Sequence, residues 1–238
     1  MTDPMIERLC GAVSADAMMA HLQEFARHVK LSGTPAERES FLYLQSCLDG
    51  YGWRTELLEH DAYISLPGRA RLETGAGSPD CITHSFSRPS PPGGVRGRLV
   101  YAGAGSEADF ATVDARGKIV LLEAIANPAA SLRASEAGAI GQIHISPHRH
   151  LHEMCISPVW GSPTEVTRER LPRTTVLSIR QEDGAALRGR VRDGEAIEVT
   201  LHAEVDTGWR RTPLLVAELL PAETRDELPF VMFSGHHD

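Results

Sequence analysis

Leu228-Pro229-Phe230-Val231-Met232-Phe233-Ser234-Gly235-His236-His237-Asp238 is an apolar run that breaks into Gly-His-His-Asp. Residues 230–233 read as a buried strand of a parallel or mixed sheet, and open α/β folds place their chemistry at the carboxyl edge of such strands. His236, on the loop just beyond that strand, is well placed to ligate a metal. Asp238, two residues on, can reach a neighbouring ligand or orient the imidazole.

Working back from this stretch, Leu214–Leu220 is a second apolar segment, separated from the first by a polar turn at 221–227. Two such segments joined by about seven polar residues suggest a hairpin, with 214–220 beside 230–234 in one sheet. Before it, Ala196–Val205 alternates as a strand. Thr174–Ile179 reads as a strand leading into a short helix at Glu182–Arg190. Further back come Gly97–Ala102 and Lys118–Glu123 as short strands, a helix from about Pro128 to Ala137, and a strand at Ile140–Ile145. Pro67 to about Gly97 is rich in Gly, Pro, Ser and Arg and reads as a linker or irregular border. Upstream of it, Ser14 caps a helix running to about Lys30, with Met18, Leu22, Phe25 and Val29 on one face. Thr34-Pro35-Ala36-Glu37 combines a capping Thr, a Pro at the first helical position and a Glu three residues past the cap, and predicts a helix to about Leu48. Gly50 and Gly52 end it, and Trp53–Glu59 follows as a strand. These elements sort into three segments: 1–66, a self-contained block at 67–205, and a return at 206–238. The first and last share one sheet, and the block is inserted between them.

Composition narrows the functional classes. With 238 residues, 42% hydrophobic and 24% charged, the chain can bury a sizeable core. Lys+Arg 24 against Asp+Glu 32 gives a net charge of −8, which argues against nucleic acid or an anionic membrane surface as partner. The opening Met1-Thr2-Asp3-Pro4-Met5-Ile6-Glu7-Arg8 has neither the basic nor the apolar region of a secretory signal, and a cytoplasmic location is the expectation. Cysteines at 10, 47, 81 and 155 form no CxxC and suggest reduced thiols rather than a zinc ribbon or a disulfide framework.

Several stretches in order resemble one family. Ser32-Gly33-Thr34-Pro35-Ala36-Glu37, a helix, and Gly50-Tyr51-Gly52-Trp53 look like the start of the co-catalytic zinc aminopeptidase and glutamate carboxypeptidase family. Asp109–Leu121, Ala134–Ile143, and Thr175–Ile179 with Asp183-Gly184-Ala185-Ala186-Leu187 resemble that family's inserted protease-associated domain. Val231–Asp238 looks like its first metal-ligand strand. The resemblance implies an α/β fold: a partial mixed-sheet zinc exopeptidase domain with an inserted α+β, β-rich protease-associated domain. It implies that His236 ligates one of two zincs, that Asp238 orients a ligand, and that Gly235 permits the tight turn between them. His237 falls at the variable position of the motif. The family's bridging carboxylate, general-base Glu and remaining ligands come after this motif, so the 238 residues read as an amino-terminal fragment, inactive alone, of an enzyme acting on peptides or amino-acid conjugates. Self-association is left open.

Other motifs weigh less. His144, His148, His150, His152 and Cys155 could bind a transition metal along an extended segment, could rim a substrate cleft, or could sit in a solvated loop. Glu153 beside His152 makes no HExxH, since position 156 is Ile. Ser146, Ser178 and Ser234 sit in no G-x-S-x-G elbow, and no phosphate-binding glycine motif is present. The alternative reading is a non-catalytic interaction module built on the protease-associated domain, with a vestigial peptidase fold.

Overall fold

The computed structural model describes residues 3–220 and 229–236. The chain divides into two compact units, Met1–Ala62 with Arg210–Asp238, and Tyr63–Trp209.

In the first unit, Asp3 and Ser14 accept backbone N–H groups at the starts of α1 (Pro4–Gly11) and α2 (Ala15–Phe25). Thr34 caps α3 (Pro35–Gly50), whose first residue is the proline that needs no N–H partner there. The expected pairing of Thr34 and Glu37 takes a variant form. Glu37 donates its backbone N–H to the Thr34 hydroxyl, but its carboxylate reaches back to the Gly33 N–H at 2.7 Å and also accepts from the Thr212 hydroxyl at 3.1 Å. It is 5% exposed, and its two roles tie the helix start to a strand. Apart from Pro213, no apolar side chain of this unit is buried among the described residues. Met5, Ile6, Leu9, Met18, Met19 and Leu22 on α1 and α2 are all exposed.

Two 21-residue strands, β1 (Arg54–Thr74) and β7 (Glu198–Glu218), lie side by side, and the boundary between the units falls within both. The seven-stranded sheet adds β2 (Cys81–Thr83), β3 (Val95–Tyr101), β4 (Ile119–Leu122), β5 (Gly141–Ile145) and β6 (Thr175–Ile179), in the order β1-β7-β3-β4-β5-β6-β2. β3 to β6 run parallel, and β7 and β2 pair antiparallel on either side. The crossovers carry α4 (Glu107–Thr112) and α5 (Pro128–Glu136); α6 (Gln181–Arg192) follows β6.

Both sheet faces of the second unit are covered, which is why β4, β5 and β6 read as unbroken buried runs. Ile119, Leu121, Ile143, Ile145, Leu177 and Ile179 pack with Leu187 of α6, while Val120 and Leu122 pack with Ala130 and Ala134 of α5. Gly184 lets α6 press onto β5, because a Cβ there would lie 2.4 Å from a methyl of Ile145.

Three sequence expectations are corrected. Residues 67–74 are not linker but continue β1. β1 is the edge strand, so the missing N–H of Pro67 costs no ladder bond on its open side, and Gly68 lets the strand approach Glu204, whose carbonyl oxygen would lie 3.0 Å from an added Cβ. The segment 214–218 is the end of β7 rather than a strand of its own. Residues 230–233 form no strand, and the expected hairpin with 214–220 is not made. Phe230 is 85% and Phe233 89% exposed: a strand without a neighbour leaves its backbone groups unpaired and buries nothing. The expected turn at 221–227 lies outside the described residues.

Candidate functional site

His236 lies in the irregular segment 229–236, exposed, and follows no strand. Asp238 and His237 lie outside the described residues. Among the described residues, no group of three or more His, Cys, Asp or Glu side chains comes close enough to hold a metal ion. The expected ligand is therefore in place in sequence, while the described residues bring no metal-binding group of three together. The histidine-rich stretch is split in the same way. His148 and His152 are exposed, with rings 5.9 Å apart and nearly perpendicular, whereas His144 is wholly buried on β5.

The chemistry assembled within the second unit is two sets of buried polar contacts on the α5 face of the sheet, Gln142 with Thr174 and His144, and His84 with Ser178. His84 carries no signal in the sequence, since it falls in the Gly- and Pro-rich stretch that reads as linker. Alternation along β5 puts Gln142 and His144 on one face, a signal that apolar β4 beside it obscures. The Gln142 amide donates to the Thr174 hydroxyl at 2.6 Å and to the Ser131 carbonyl at 3.2 Å, so its oxygen accepts from Nε2 of His144 at 3.1 Å. Nδ1 of His144 faces the Ala124 carbonyl at 3.2 Å. Only a cationic ring could donate to both. Burial opposes that charge and wins over the carbonyl's pull, taking the pKa down to about 4.

The Met154 N–H donates to Nδ1 of His84 at 3.1 Å, which leaves Nε2–H to donate to the Ser178 hydroxyl at 2.8 Å. Burial, with His144 nearby, lowers this pKa to about 3. A histidine that donates to a serine hydroxyl is not its base, and both rings are fully buried, so the pair is no Ser-His nucleophile. Its role is to satisfy the polar groups of strand, helix and loop.

A second feature is open to solvent. Tyr63 on β1, Trp209 on β7 and the loop 163–171 enclose a cleft of about 240 Å³. The Tyr63 and Trp209 rings meet edge to face, 5.5 Å apart.

No protein-family model matches the chain. In sequence it is 28% identical over 195 residues to a protein of Mycobacterium tuberculosis named probable lipoprotein aminopeptidase LpqL, covering 76% of this chain and 37% of that one. In structure it matches an aminopeptidase from Aneurinibacillus sp. strain AM-1 at a TM-score of 0.69, with 22% identity over 86% of this chain and 47% of that one. Its mixed α/β fold resembles that of aminopeptidases. Two further structures share the fold: a zinc aminopeptidase from Bacillus subtilis, at a TM-score of 0.61, 20% identity and 87% and 47% coverage, and a peptidase M28 precursor from Shewanella amazonensis, at 0.62, 14% identity and 78% and 46% coverage. The chain thus spans under two fifths of the aminopeptidase it matches in sequence and about half of those it matches in structure. No helix among the described residues is long and apolar enough to cross a membrane.

Proposed function

We propose that these residues form the amino-terminal part of a zinc-dependent exopeptidase that removes residues from the amino terminus of peptides. The observation that carries this reading is the 28% identity over 195 residues to a protein named as an aminopeptidase. The fold is consistent with it, and so is the unburied apolar face of α1 and α2, which suits a sheet domain that packs against further polypeptide.

In this proposal His236 is a ligand to one of two zincs and Asp238 a carboxylate that orients a ligand. The unit Tyr63–Trp209 is a protease-associated-type insertion. The described residues do not make up a zinc site by themselves. The remaining ligands and the proton-relaying carboxylate belong to polypeptide outside these 238 residues, and a catalytic zinc ordinarily takes three protein ligands. The 238-residue chain therefore has no hydrolytic activity of its own. A cytoplasmic location, read from the opening residues, is set against the lipoprotein name of the mycobacterial relative, and fractionation of producing cells separates the two.

The test compares a protein continuing past residue 238 with this chain, on aminoacyl-nitroanilide substrates with and without chelator. Chelator-sensitive hydrolysis by the longer protein, abolished together with zinc content by His236→Ala, is the expected result. Asp238→Asn should keep most of the metal and lose turnover. Full turnover in both variants would sink the assignment. A longer protein that hydrolyses nothing and instead captures peptides would favour the interaction module.

A further inference from the structure

We propose that the cleft beside Trp209 binds one free, large apolar amino acid through its side chain and both of its charged groups. The volume decides the size of the occupant. At about 240 Å³ it lies below the roughly 300–1,000 Å³ of sites for drug-sized molecules, and it suits a single residue better than a peptide. Tyr63, Trp209, Pro163 and Leu171 supply an apolar and aromatic wall. Arg168 and Glu165 line the same cleft, exposed and without an ion pair among the described residues. A guanidinium and a carboxylate offered together complement a carboxylate and an ammonium on one small molecule.

The wall is held in place at a cost. Behind Tyr63 stands Phe86, its ring 6.1 Å away and its backbone at φ 68°, a region bulky residues rarely enter. Its N–H donates to the buried Ser65 hydroxyl at 2.7 Å, and that hydroxyl lies 2.7 Å from the Thr207 hydroxyl of the neighbouring strand. The opposite wall is also prearranged. Thr164 and Thr167 exchange backbone-to-hydroxyl bonds at 2.8 and 3.2 Å, and the Arg168 N–H donates to the Thr164 carbonyl at 2.9 Å. Against these fixed walls Trp209 remains 60% exposed, the type of large aromatic that anchors a ligand.

Calorimetric titration of the 238-residue chain with L-phenylalanine tests this without any hydrolysis, so binding and the peptidase reading can each fail alone. One-to-one saturable binding is expected. N-acetylphenylalanine and phenylalaninamide, each lacking one charge, should bind about tenfold more weakly. Arg168→Gln should weaken phenylalanine about tenfold and leave phenylalaninamide unchanged, Glu165→Gln should do the same with N-acetylphenylalanine, and Trp209→Leu should weaken all three. These side chains are exposed, and an unaltered circular dichroism spectrum verifies that each variant folds. Absence of binding, equal binding of the charge-blocked ligands, indifference to Trp209→Leu, or tenfold preference for the dipeptide alanyl-phenylalanine would each overturn the proposal. So would concentration-dependent self-association, lost in Trp209→Leu, in place of phenylalanine binding, since the occupant would then be a second copy of the chain.

Discussion

His84 and His144 carry a pH dependence that their burial dictates. Both pKa values are lowered from 6.5 in the folded chain, to about 3 and about 4, so the unfolded chain binds protons first as pH falls. Their contribution to stability is fully present above pH 6.5, declines as pH falls below it, and is lost once the folded pKa values are passed. At about 1.4 kcal/mol per unit, the two units between 6.5 and pH 4.5 make each worth on the order of 3 kcal/mol over that range, less for the pair since His144 already contributes to the shift of His84. The lowered carboxylates, among them Asp109 and Glu123, act further down the scale because their unfolded values lie near 4. Urea unfolding at pH 7 and pH 4.5 should therefore lose a few kcal/mol in the parent chain. The double variant His84→Gln, His144→Gln should be less stable at pH 7 yet nearly flat between these two values. An unchanged slope in the double variant would assign the dependence elsewhere.

The caps at Ser14 and Thr34 and the proline at the start of α3 are legible because their signals are local, and the all-buried runs of β4, β5 and β6 because the apolar residues that favour a strand are also those it buries. The sequence predicts this first strand, β1, only to Glu59 and a linker from Pro67, because Pro67 and Gly68 signal a turn anywhere except on an edge strand, and edge position is a property of the whole sheet. β2 is three residues long and exists only through its pairing with β6. Apolarity alone predicts a strand at 230–233, and it cannot distinguish a buried strand from an exposed run lacking a partner. His236 was legible as a candidate from its motif, but a ligand set is made by residues far apart in sequence, and nothing in the motif supplies them. Two elements give direct tests. Gly184→Ala drives a methyl group into Ile145 between α6 and β5, and should cost about 1–3 kcal/mol in denaturant unfolding. Glu37→Ala leaves the Gly33 N–H and the Thr212 hydroxyl without their shared acceptor, and should cost a comparable 1–3 kcal/mol, roughly. A loss below about 0.5 kcal/mol in either would mean that the contact is not sustained in solution.

At the scale of the whole molecule the two units differ in kind. Tyr63–Trp209 contains every buried apolar side chain but that of Pro213 among the described residues, with both faces of its parallel strands covered. That is the physical requirement for folding alone. Among the described residues the other unit buries only Glu37 and Pro213, and presents Met5, Leu9, Met18, Leu22, Leu214, Val216, Phe230 and Phe233 to solvent. Exposed apolar surface on this scale marks a face that packs against other polypeptide, or that associates when it does not. Residues 63–209 expressed separately should consequently be monomeric and unfold cooperatively, whereas the 238-residue chain should self-associate with rising concentration. Replacing Met18, Leu22, Phe230 and Phe233 together by polar residues should reduce that association without changing the unfolding transition of the 63–209 unit. Sedimentation velocity across a hundredfold concentration range measures the first effect, and thermal unfolding followed by circular dichroism the second. A monodisperse 238-residue monomer throughout would show that these side chains are covered within the chain itself, and would remove the physical argument for a larger peptidase domain around them.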